Sequence, residues 1–139
     1  MTVAIRLRQE HLDAMIAHAK ADAPIECCGL IAASDGTVVS IHPARNAEAS
    51  PYRFSINGLE QRKIEETIDA AGAALAGFYH SHTGSEARPS PTDIRMMTTF
   101  FGPPYVHFVV GVADRDAPVV RVFYIADGAA TEQEFEVLP

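Results

Sequence analysis

The last third of the chain sets the tightest limit on its fold. "YVHFVVGVA" and "PVVRVFYIA" read as strong strands, and "TEQEFEV" after Asp127-Gly128 reads as a weaker third. Neighbouring parallel strands need a crossover of a dozen or more residues, usually a helix. Three strands in succession therefore argue against a regular doubly wound parallel sheet. The patterns run β-α-β-β-α-β-α-β-β-β, which predicts an α/β (α+β) fold: a curved mixed sheet with helices packed on it. At 139 residues, 1–139 is expected to form a single domain.

The earlier elements follow from periodicity. "VAIRLR" (3–8) alternates as a strand, and "QEHLDAMIAHAKAD" sets Leu12, Met15, Ile16 and Ala19 on one helix face. "CCGLIAAS" and "TVVSIH" flank Asp35-Gly36, a hairpin signal. "PARNAEASPYRF" reads as a surface loop leading into a short strand. Asn57 with Glu60 three residues later resembles an N-cap with a capping carboxylate, and Ile64, Ile68, Ala71 and Leu75 would line the helix that follows. "AGFYHSH" reads as a buried strand, and a second loop leads to a helix starting near Pro91.

Charge and cysteine content exclude some classes. A net charge of −7 argues against a nucleic-acid partner, since neutralising phosphates needs a basic surface. No apolar run approaches the roughly 18 residues that span a bilayer, so no membrane partner is expected. "MTVAIRLRQEHLDAM" reaches charge too early for a signal peptide, and a cytoplasmic location is expected. Cys27 and Cys28 are adjacent, which is no disulfide framework, and are expected to be small buried residues.

The chemistry concentrates in "HSHTGSEARPSPTD". Strand alternation points His80 and His82 the same way, with Cα atoms about 6–7 Å apart, a spacing suited to one shared ion. The pair could equally be packed histidines. Ser90-Pro91-Thr92-Asp93 fits a helix start, with serine at the N-cap and aspartate at N3. That mount could also aim Asp93 at the histidines. Two histidines, a carboxylate and an open position for water would make a catalytic zinc site. Such a site needs a proton carrier, and Glu26 in the apolar "PIECCGL" is the candidate. A solvated loop carboxylate is its plainer reading.

Glu26, His80-Ser81-His82, seven residues, Ser90, two residues and Asp93 together resemble the signature of the JAMM (MPN+) metalloprotease family. That signature is a distant glutamate followed by H-[ST]-H-x7-S-x2-D, the glutamate often in P-x-E-x-C-G; here it is Pro24-Ile25-Glu26-Cys27-Cys28-Gly29. The resemblance implies a JAMM/MPN domain of cytidine-deaminase-like shape. His80, His82 and Asp93 would hold one Zn2+ per chain, Glu26 would serve as general base and then acid, and Ser90 would bind the oxyanion. Ser81 would lend support only.

Family members mostly cut after the C-terminal Gly-Gly of ubiquitin-like proteins. "NAEASPYRF", "YHSHTGSEARPSPTD" and "YIADGAATEQ" look most like the bacterial Mec-type group, which releases cysteine from a small sulfur-carrier protein. Thr83, where many eukaryotic relatives carry proline, fits that group. The alternatives are an isopeptidase for another ubiquitin-like protein and a non-catalytic interaction module. For the module, Phe100, Phe101, Pro103, Pro104 and Tyr105 would form an exposed patch for a homodimer or a docking partner; otherwise they pack beneath the last strands. His11 and His18 are expected to be solvated and His107 to be packed, while His42 has no partner spacing.

Overall fold

Residues 3–139 are described by the structure, a computed structural model. The strands are β1 (Ile5–Arg8), β2 (Cys28–Ser34), β3 (Thr37–Ala44), β4 (Ala74–His82), β5 (Val106–Gly111), β6 (Val119–Ala126), β7 (Ala129–Gln133) and β8 (Phe135–Leu138). Helices α1 (Gln9–Asp22), α2 (Gly58–Ala70) and α3 (Pro91–Met97) lie between them. All eight strands share one sheet in the order β7-β6-β5-β4-β2-β3-β1-β8. The β4–β5, β1–β3 and β1–β8 pairs are parallel and the rest antiparallel, giving the mixed sheet that the pattern predicts.

The expected single strand at "TEQEFEV" is two. Only Glu134 separates β7 from β8, yet they lie at opposite ends of the sheet. A flat eight-stranded sheet is roughly 34 Å across, far beyond the reach of one residue. The sheet therefore curls until its edges meet, and the Ala4 N–H donates to the Glu134 carbonyl at 2.8 Å. Glu134, the residue between them, is no turn former, so nothing local marks the division. The two tight hairpins are marked: Asp35-Gly36 and Asp127-Gly128 all have positive φ, as type I′ turns require.

Alternation divides the core in two. On one face Leu7, Ile31, Tyr79, Phe108 and Val110 pack with Leu12, Met15 and Ala19 of α1. On the other, Leu30, Phe78 and Ile125 pack with Phe54 and Met97. Gly29 lies opposite Tyr79, and a Cβ there would run into the tyrosine ring. That close approach frees the Tyr79 hydroxyl to meet His18 Nδ1 at 2.7 Å.

Several expectations are corrected. α2 ends at Ala70 and buries only Ile68 fully, because Gly72 takes a φ of +78° and stops the helix, so Leu75 belongs to β4. Asn57 caps α2 as expected, accepting from the Leu59 and Glu60 N–H groups, but the Glu60 carboxylate accepts from the Arg45 N–H instead. No strand forms between β3 and α2. His11 is buried, its Nδ1 accepting from the Arg8 N–H at 3.1 Å, and His18 is held between Tyr79 and Asp22. Neither is a solvated residue.

His107 is packed as expected, and its Nε2–H donates to the Phe101 carbonyl at 2.8 Å. Burial pushes its pKa down from 6.5 to about 4. The neutral ring is thus fully stabilising above pH 6.5, and that contribution is lost as pH falls toward 4. A full proton difference gives a slope of about 1.4 kcal/mol per pH unit. His107→Gln keeps an amide donor and does not titrate, so its urea midpoint should fall less steeply between pH 6.5 and 4.5 than that of the wild type.

Candidate metal centre

β4 carries the centre at its exit. Ser81 faces the α1 side, where its Oγ accepts from the Cys27 N–H at 2.7 Å, the supporting role expected of it. His80 and His82 face the other way, both buried. The His80 ring stacks on Phe54 with centroids 4.5 Å apart. His82 Nδ1 lies 2.7 Å from the Glu86 carbonyl, which can only accept. That bond puts the proton on Nδ1 and leaves Nε2 of the neutral ring bare.

α3 delivers the third group. Ser90 Oγ accepts from the Asp93 N–H at 3.1 Å, and the Ser90 N–H donates to Asp93 Oδ2 at 2.8 Å, a complete capping box with Pro91 at N1. The same Oδ2 lies 2.9 Å from His80 Nε2 and 3.2 Å from His82 Nε2, and the two nitrogens are 3.2 Å apart. Two ring nitrogens and a carboxylate oxygen thus converge within 3.2 Å of one another. A four-coordinate ion with bonds of about 2.0–2.1 Å has ligand–ligand edges of about 3.3 Å. The triangle fits such an ion, and the donor set suits a first-row divalent metal.

Electrostatics act on the three groups in different directions. Burial lowers the His80 pKa, favouring the neutral form that ligates. For His82 burial also opposes charge, but the bonds to Asp93 and to the Glu86 carbonyl outweigh it and raise the value. Burial would raise the Asp93 carboxyl, yet the two histidines hold it well below the usual carboxylate range.

Glu26 stands beside this triangle. One of its carboxylate oxygens lies within 4.8 Å of a ring nitrogen of each of His80 and His82. It is only 3% exposed, and Oε1 has no hydrogen-bond partner. Burial, helped by Asp93 and opposed by His82, pushes its pKa up to about 7. Glu26, His82 and Ser90 line a cavity of about 350 Å³ together with Pro51, Tyr52 and Thr83–Ser85. Tyr52 is 83% exposed, and no local pattern in the sequence singles it out.

Other candidates recede. Cys27 and Cys28 are buried, free, and pushed up to about 12 by burial, out of thiolate range. The aromatic patch divides: Phe101 packs edge-on against Phe78 at 4.6 Å, while Phe100 is exposed. Among the described residues no helix is long and apolar enough to cross a membrane.

With this geometry in place, likeness to known proteins becomes informative. The family model for prokaryotic homologs of the JAB domain matches residues 8–125. The chain belongs to that family, a branch of the JAMM metalloproteases. The CysO-cysteine peptidase of Mycobacterium tuberculosis is 36% identical over 135 residues, covering 95% of this chain and 90% of that protein. A desampylase of Haloferax volcanii is 38% identical over 96 residues, 64% of this chain and 69% of its own. The solution structure of a Desulfitobacterium hafniense protein, 30% identical, superposes with a TM-score of 0.86 over 96% of this chain and 92% of that one. The JAMM positions of this chain are the ones that the fold gathers into one cluster.

Asp93→Asn removes the anionic member while Ser90 still caps α3. Metal affinity measured by equilibrium dialysis should fall by more than the roughly 10–100-fold that losing a ligand's supporting partner costs. Unchanged affinity would reduce Asp93 to a helix cap.

Proposed function

We propose that the chain is a zinc-dependent peptidase. It hydrolyses the amide bond after the C-terminal Gly-Gly of a small ubiquitin-like sulfur-carrier protein, releasing cysteine in cysteine biosynthesis in the cytoplasm. The observation that carries the reading is the convergence of two imidazole nitrogens and a carboxylate oxygen within 3.2 Å of one another, with an unpartnered, buried carboxyl beside them. The 36% identity to a CysO-cysteine peptidase over 95% of the chain supports the substrate class.

His80, His82 and Asp93 hold one zinc ion per chain. When bound, zinc supplies Lewis acidity that lowers the pKa of water and polarises the scissile carbonyl. Glu26 does the proton work: its buried carboxyl, unpartnered at Oε1, takes the proton from water as base and returns it to the leaving amine as acid. Ser90 steadies the charge on the carbonyl oxygen. Its Oγ accepts only from the Asp93 N–H in the cap, so its own O–H stays available to donate.

The cavity of about 350 Å³ beside Glu26, His82 and Ser90 has room for a short glycine tail. Such a tail can add main-chain hydrogen bonds as an extra strand. A second reading, an isopeptidase or processing protease for another ubiquitin-like protein, draws on the 38% identity to a desampylase.

Carrier–cysteine and carrier–lysine adducts offered to the purified protein separate the readings when the products are weighed. Release of cysteine is expected, and turnover should vanish when the carrier's tail glycines are deleted. Glu26→Gln should keep its metal and lose about 10²–10⁴-fold in turnover. A fully active Glu26→Gln would move proton transfer elsewhere.

A further inference from the structure

Glu26 poses a positional problem. Oε1 of its carboxylate has no hydrogen-bond partner, and the residue lies two positions before the first residue of β2. Its backbone is held instead by the loop between β3 and α2. The Glu26 N–H donates to the Ser50 carbonyl at 3.0 Å, and the Glu26 carbonyl accepts from Asn46 Nδ2 at 3.0 Å. Asn46 is itself buried. Its Nδ2 also donates to the Arg53 carbonyl at 3.0 Å, and its Oδ1 accepts from the Glu48 N–H at 3.0 Å and the Ser55 N–H at 3.2 Å.

Three of these four bonds close the loop on itself. The fourth leaves the loop and reaches Glu26. We infer that Asn46 is a positioning residue: through the clasp it builds, it sets the backbone of Glu26 and so directs the carboxylate toward His80, His82 and Asp93. The same clasp carries Pro51 and Tyr52 into the cavity wall, so the acid and one wall of the cleft are aligned as one body. This inference rests on the reading of Glu26 as the proton-transfer group.

Asn46→Asp isolates the link. A carboxylate still accepts from the Glu48 and Ser55 N–H groups but has no proton to donate to the Glu26 and Arg53 carbonyls. On the carrier–cysteine adduct, kcat should fall about 10–100-fold, as misplacement of a catalytic group by about 1 Å does, with KM changed less than about twofold. Metal content per chain should be unchanged. Glu26 amide hydrogen exchange should speed up about 10-fold or more, while the Leu30 and Ile31 amides in β2 keep their protection. Glu48→Ala removes a loop-internal bond from the Ser55 hydroxyl and should leave kcat intact.

A variant that fails to fold, loses its metal, raises KM at constant kcat or leaves Glu26 exchange unchanged overturns the inference. So does an equal kcat loss in Glu48→Ala. If the wild type cleaves no adduct, the peptidase reading fails, while hydrogen exchange still decides whether Asn46 holds Glu26.

Discussion

Side-chain alternation along β4 is the constraint on which the rest of the molecule depends. The strand is paired on both sides, antiparallel to β2 and parallel to β5. Its odd-numbered residues Tyr79 and Ser81 support the α1 core, and its even-numbered residues Phe78, His80 and His82 face the second core and the metal cluster. One strand thereby serves packing and chemistry without compromise. Cys27 and Cys28 repeat the division on β2 and the residue before it, one side chain in each core.

The cluster is electrostatically expensive by design. Burying a carboxyl without a partner is unfavourable, and at a pKa of about 7 ionised Glu26 costs about 3 kcal/mol relative to its ordinary state. Asp93 behaves in the opposite way because two histidines and a backbone N–H converge on one of its oxygens. Two carboxyl groups facing one cluster are therefore driven in opposite directions, one to a fixed anion and one to an exchangeable proton. That separation is what a metal ligand and a general base respectively require.

Local features were legible in the sequence, and tertiary ones were not. The limits of α1, the Asp35-Gly36 hairpin, the Asn57 cap and the Ser90–Asp93 cap each depend on a few adjacent residues. Glu26, His80, His82, Ser90 and Asp93 follow a spacing that resembles a known signature, and the fold brings them together. Glu60 shows where such reasoning stops: its carboxylate had a local target in the cap and a distant one at Arg45, and the distant one won. The division of the last strand depends on β1 lying free at the far edge. The His18–Tyr79 and Asn46–Glu26 pairs form only when segments remote in sequence fold together, whereas His11 meets the Arg8 N–H three residues away.

The geometry of the site finally reduces to strand register. A slip of one residue between β2 and β4 would turn His80 and His82 into the α1 core. Cys28 pairs with His80 and Gly29 with Tyr79, and the one irregularity in this ladder falls beyond Ile31, at the end remote from the cluster. The near end is tied twice more, by the Ser81 N–H to the Cys27 carbonyl at 3.1 Å and the Cys27 N–H to Ser81 Oγ at 2.7 Å. Gly29 adds a steric key, since only a residue without Cβ fits beneath the Tyr79 ring. The Val112 N–H closes the other flank by donating to the His82 carbonyl at 3.0 Å. The irregular pairing is confined to the half of the ladder where a shift does not reach the histidines, and the bonds outside the regular ladder gather where it would.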